Sequence, residues 1–147
     1  MPTPPMSDVT TQGIRVGATA FYLPEHSHPD DNDFVFGYRI LIVNNSPETV
    51  ELLSRHWYII DGEGDCQEIT GEGVVGQQPV LEPGMAFKYT SFARLPTHWG
   101  TMEGRYTFRR QHSGEEFEVS IGRFWLTTET TAVGAGPDGE GGGQQLV

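Results

Sequence analysis

Between Ile14 and Leu126 the apolar residues recur with a period of two nearly everywhere, and no segment holds the period of about 3.6 residues that a helix needs. Ile14, Val16, Ala18, Ala20 and Tyr22 alternate with more polar neighbours. Phe34, Phe36, Tyr38, Ile40 and Ile42 share one face of the next run, with Val35, Arg39, Leu41 and Val43 on the other. Leu53, Trp57 and Ile59 mark a third strand. It is stopped by Asp61-Gly62-Glu63-Gly64, a hairpin signal. A short strand from Cys66 to Ile69 follows. Phe87, Tyr89 and Ser91 share a face further on, as do Met102, Gly104, Tyr106 and Phe108. Phe117, Val119 and Ile121 then slip in phase to Phe124 and Leu126. One extra residue at Gly122-Arg123 accounts for the slip as a β-bulge.

Short strands joined by turns predict an all-β, antiparallel β-sandwich of about seven to eight strands. A buried Trp57 in an early-middle strand suits an immunoglobulin- or fibronectin-III-like core. The expected division is a flexible N-terminus over residues 1–10, one domain over 11–130, and a disordered Gly-rich tail over 131–147.

Gly71-Glu72-Gly73-Val74-Val75-Gly76 spells G-x-G-x-x-G, the letters of a dinucleotide-binding loop. That chemistry requires a helix whose N-terminus faces the pyrophosphate. Here Pro79 and Pro83 forbid a long regular helix after the loop, and no βαβ unit surrounds it. Two readings remain. The backbone N–H groups of Gly71, Gly73 and Gly76 can form a concave anion nest, with Arg55, Lys88 and Arg94 supplying charge to a phosphate. Alternatively, the glycines supply positive φ at a sheet corner while Val74 and Val75 plug the core.

Composition narrows the partners. A formal charge of -11 repels polyanions, which argues against non-specific nucleic-acid binding and against anionic membranes. The N-terminal residues lack the basic and apolar regions of a signal peptide, and no apolar run is long enough to span a bilayer. The single Cys66 forms no intramolecular disulfide and reads as a small, buried strand residue. A cytoplasmic setting is expected.

No catalytic constellation is present in the sequence, so no enzyme and no obligatory cofactor are expected. His26 and His28, beside Asp30, Asp31 and Asp33, are the nearest approach to a divalent-metal cluster. Arg55 falls in phase with Leu53, Trp57 and Ile59, so if that face is the core its guanidinium must be paired or reach a rim. Phe21, Phe92 and Trp99 fall near predicted strand ends or loops, where aromatics anchor interfaces or cap a sandwich. Phe92 and Trp99 are taken as candidates for contact with a protein partner.

The runs LLSRHWYIIDGEG, TGEGVVGQQPVLEPG, FKYTS and GTMEGRYTF, with the final F-x-V-x-I-x-x-F-x-L, resemble the ApaG family across roughly residues 10 to 127. The resemblance implies an immunoglobulin- or fibronectin-III-like sandwich. It also implies a protein-interaction role, as inferred for similar modules in eukaryotic F-box and polymerase-delta-interacting proteins. The family's glycine motif maps onto Gly71, Gly73 and Gly76 and carries the phosphate hypothesis, and cobalt or magnesium handling is also attached to the family. Two positions depart from its pattern. Phe92 stands where a Gly is typical, and Thr97-His98-Trp99-Gly100 replaces Thr-Pro-x-Gly. Both enlarge side chains in what the pattern places as adjacent loops, as in a partner surface particular to this chain. The identity of that partner and the oligomeric state are not encoded in these patterns.

Overall fold

The computed structural model describes residues 6–130. Nine strands make two antiparallel sheets. The first sheet has the order β1 (Ser7–Thr11), β2 (Ile14–Tyr22), β3 (Phe34–Asn44), β7 (Ala86–Leu95). The second has the order β5 (Cys66–Glu72), β4 (Val50–Asp61), β8 (Trp99–Arg110), β9 (Glu116–Thr127), with the two-residue β6 (Val80–Leu81) also paired to β4. The sheets face each other as a β-sandwich. The alternating residues of β2 and β3 meet Trp57, Met102, Tyr106, Phe108, Phe124 and Leu126 in one core, as period-two patterning requires.

The N-terminal boundary differs from expectation. Ser7 to Thr11 form a strand paired to β2, Ser7 opposite Ala18 and Thr11 opposite Ile14, rather than a loose segment through residue 10. The Gln12-Gly13 turn that closes this hairpin has both residues at positive φ, a conformation that fits the right-handed twist of the strands. The proposed tail over 131–147 lies outside the described residues.

Two bulges set the faces. Met102 opposes Phe124 and Gly104 opposes Ile121, so Glu103 faces both Gly122 and Arg123, as the slipped phase predicts. A second bulge escaped the pattern. Leu52 opposes Phe108 and Ser54 opposes Thr107, which makes Leu53 the extra residue of β4. The fully buried residue is therefore Leu52, and Arg55, Trp57 and Ile59 share the inward face without Leu53.

The two long sides of the sandwich differ. On one side β1 lies against β9, where Ser120 N–H donates to Thr11 Oγ1 and a Cβ at Gly122 would come within 2.8 Å of Val9. On the other, β7 and β5 are the sheet edges, and the Gly-rich segment sits between β5 and β6 along β4. Among the described residues, no helix is long and apolar enough to cross a membrane.

Candidate functional site

Three regions compete as sites: the Gly-rich segment, the loop bearing His26 and His28, and the outer face of the five-stranded sheet.

The Gly-rich segment begins as strand, with Gly71 in β5 opposite Arg55. It then folds back as a tight hairpin. Val74 N–H donates to Gln77 O and Gln77 N–H to Val74 O, both at 2.8 Å. Val75 and Gly76 at its tip have φ of 41° and 79°, the signature of a type I′ turn. Gly73 sits at φ 62°, and a Cβ there would come within 2.1 Å of Gln77 O, so only glycine fits. The bulge at Leu53 explains where this hairpin docks. Leu53 O, turned off the regular ladder, accepts from Gly73 N–H at 2.8 Å and from the Gln78 side-chain amide at 2.9 Å. Val74 is fully buried and fills the core beneath.

Arg55 completes the closure. Its Nη1 donates to Glu72 O at 3.0 Å and Gly73 O at 2.9 Å, and its guanidinium lies so close over Gly71 that a Cβ would meet it at 2.8 Å. The N–H groups of Gly73, Val74 and Gln77 are thus consumed by protein carbonyls, and Arg55 by carbonyls of the loop itself. The other two cations proposed for this site lie elsewhere. Lys88 opposes Leu41 on the exposed face of the four-stranded sheet, and Arg94 pairs with Asp33 at 2.9 Å. The structure therefore brings Arg55 to the glycines and separates Lys88 and Arg94 from them. Inside this side of the sandwich, Arg55 lies near three buried phenols. The Tyr89 and Tyr106 hydroxyls are hydrogen-bonded to each other, and Tyr38 is bonded to Ser91. Burial pushes all three phenols well above the usual tyrosine range, and the guanidinium opposes this only in part.

His26 and His28 occupy the β2–β3 connection, within and between two 3₁₀ turns, Pro24–His26 and Pro29–Asp31. Buried Ser27 between them pins the loop, donating to Leu23 O and accepting from Val35 N–H, both at 2.8 Å. His28 Nδ1 lies 3.3 Å from Asp33, whose other oxygen is held by Arg94. Among the described residues no group of three or more His, Cys, Asp or Glu is placed to hold a metal ion.

The aromatic candidates separate onto opposite outer faces. Phe92 is in β7, opposite Gly37, and packs with Phe21, Leu23 and Val35 outside the four-stranded sheet. Phe21 is buried there, beneath the Arg39 guanidinium at 4.5 Å. Trp99 opens β8 on the outer face of the five-stranded sheet. Neither Phe92 nor Trp99 is a loop residue, and they share no surface.

Trp99 is not alone. Trp125 of β9 opposes Thr101, two residues along from Trp99, so the two indoles are diagonal neighbours on one face. Their rings stack at 5.6 Å and 26°. Trp125 is 53% exposed and Trp99 36%, while Phe124 and Leu126 beside Trp125 are fully buried. The pair rests on a fixed base. Thr97 Oγ1 accepts from Gly62 N–H at 2.8 Å and donates to Trp99 O at 2.7 Å. A Cβ at Gly62 would come within 2.6 Å of Trp99 Nε1, so the indole lies directly against that glycine. Sequence reasoning singled out Trp99 and missed Trp125. The signal was present: once Phe124 and Leu126 are in the core phase, the residue between them must point to solvent.

Further down the same face a polar cluster continues. His56 stacks on Tyr58 at 4.8 Å, its Nε2 2.6 Å from Glu68, and Arg105 reaches both His56 Nδ1 and the Tyr58 hydroxyl. Cys66 opposes Ile60 at the start of β5 and is exposed, against the expectation of burial.

The model of the ApaG domain matches residues 24–110. The chain belongs to the ApaG domain family. It is 48% identical to the ApaG protein of Brucella suis over 121 residues, 82% of this chain and 92% of that protein. It is 49% identical to the ApaG protein of Brucella anthropi over the same shares. A crystal structure described as that of an ApaA protein from Bordetella pertussis is 44% identical, with a TM-score of 0.74, covering 86% of this chain and 97% of the other. Membership in the ApaG domain family supports the sandwich and assigns it no reaction.

Proposed function

We propose that this ApaG domain is a non-enzymatic, cytoplasmic binding module that engages a protein partner through the outer face of its five-stranded sheet. The observation that carries the reading is the stacked Trp99–Trp125 pair, two large indoles left in solvent on a rigid strand scaffold. Tryptophan contributes most when a partner desolvates it fully, and preorganised side chains lose little entropy on binding. The Gly-rich hairpin is a weaker candidate, because the N–H groups of Gly73, Val74 and Gln77 are given to Leu53 and to its own turn. Lone Cys66, exposed and without a partner for an intramolecular disulfide, suits a reducing compartment.

The test is affinity capture with the full chain immobilised, comparing wild type with Trp125→Ala and Trp99→Ala. Circular dichroism confirms that each variant is folded. The reading expects at least one specific partner to be retained by wild type and lost by Trp125→Ala. Partners retained equally by all three proteins would overturn it.

A further inference from the structure

Charge around the Trp99–Trp125 shelf is strongly one-sided. Glu63 follows Gly62, the residue against which Trp99 lies, and Asp65 closes the same turn, its N–H donating to Asp61 Oδ1. Glu129 lies two residues beyond Thr127, the cross-strand partner of Trp99. All three are exposed, and none takes part in an ion pair among the described residues. Arg123, two residues before Trp125 on β9, is already bound to Glu103.

Resting on the binding-face reading above, we infer that the shelf takes a basic, arginine-bearing peptide segment of a protein partner. A guanidinium is planar, stacks on an indole face, and offers N–H groups in its own plane to carboxylates at the rim. The shelf supplies both halves of that recognition. Trp125 presents a half-exposed indole, and Glu63, Asp65 and Glu129, in the turns beside the pair, present exposed carboxylates that have no ion-pair partner among the described residues. A phosphate-bearing ligand meets repulsion at the same rim, and a purely apolar segment leaves three carboxylates facing a dry contact. Electrostatic attraction brings the segment in, and stacking fixes where it sits.

The experiment uses the full chain and a fluorescein-labelled peptide of alternating arginine and glycine, followed by fluorescence anisotropy. Matched peptides carry lysine or glutamine in place of arginine, and a neutral cello-oligosaccharide serves as the sugar control. The expected order is arginine above lysine, with no glutamine or sugar binding. Affinity for the arginine peptide should fall about tenfold or more between low and high salt, as charges become screened. Trp125→Ala should weaken it at least about fivefold with every acid retained, within the range of a partly desolvated cation–π contact. The triple variant Glu63→Gln, Asp65→Asn, Glu129→Gln should do the same with both indoles retained. Salt-sensitive binding untouched by Trp125→Ala would overturn the inference, since diffuse negative charge would then suffice. Trp125-dependent binding of the glutamine peptide would overturn the charge assignment yet leave the binding face standing. Trp125-dependent binding of the sugar would overturn both, as would failure of every peptide together with Trp-independent capture of partners.

Discussion

The glycine hairpin on the β5–β6 edge and the tryptophan shelf on the outer sheet face are built from opposite materials. The hairpin is rich in backbone polar groups and poor in side chains, yet Gly73, Val74 and Gln77 each give their N–H to a carbonyl within the fold, and Val74 is driven into the core. The shelf is backbone-regular, with its ladder intact, yet it leaves two indole rings and three carboxylates facing water. What a region can bind depends on what it leaves unsatisfied. By that measure the hairpin is part of the scaffold, and the shelf is where binding energy remains to be gained.

Raising the pH breaks the closed side most completely. The folded-state pKa values of Tyr38, Tyr89 and Tyr106 are raised by burial, so the unfolded chain releases these phenolic protons first. Their contribution to stability is fully present below the unfolded tyrosine value of about 10 and is lost as pH rises beyond it. Cooperative unfolding above about pH 10, with phenolate absorbance and loss of circular dichroism coinciding, is the expected outcome. Phenolate appearing well before the fold is lost would show that these hydroxyls are reached by water, and would reopen this side as a site.

Gly73→Ala comes next in size. The residue would be held at φ 62° with its Cβ against Gln77 O, so left-handed strain and a backbone clash add. A loss of about 3 kcal/mol or more is expected, seen as a fall in Tm of about 10 °C. Arg55→Met follows at about 1–2 kcal/mol, because two carbonyls lose a charged donor at a half-buried position. Both are read by urea denaturation. Pyrophosphate sharpens the point: it should leave the Tm of wild type unchanged, whereas a rise abolished by Arg55→Met would restore the anion reading.

The long strands, the inward faces of β2, β3 and β9, and the bulge at Gly122-Arg123 were legible because period-two burial marks alternate residues. Three features were not. The β4 bulge hid behind adjacent Leu52 and Leu53, either of which satisfies an apolar pattern. Strand β1 reads SDVTT, polar enough to pass for a tail, and is held by its ladder to β2 and by Val9 against β9. The placement of Lys88, Arg94, Phe92 and Trp99 on different faces depends on which strands become neighbours. That is a long-range property with no local signature. Trp125 was recoverable in principle from the phase of Phe124 and Leu126, whereas its stacking on Trp99 needed the β8–β9 register.

The smallest effect on stability is expected at the largest exposed side chain, and this is what makes Trp125 informative. A core Trp57→Ala would empty the space between Tyr38, Tyr106 and Phe124 and cost about 3–5 kcal/mol. Trp125→Ala removes a side chain of the same size that contacts one partner ring and is half in water, so its loss should change unfolding free energy by no more than about 0.5 kcal/mol. Equilibrium denaturation of the two variants side by side measures the contrast. A destabilisation at Trp125 approaching that at Trp57 would mean that the shelf is a structural cap, and its exposure would no longer argue for a partner. A near-neutral result leaves an indole that the fold does not need for its own stability, stacked on Trp99, which Thr97 and Gly62 position. A residue kept rigid and exposed at no gain to the fold is one whose energetic use lies in a contact outside the chain.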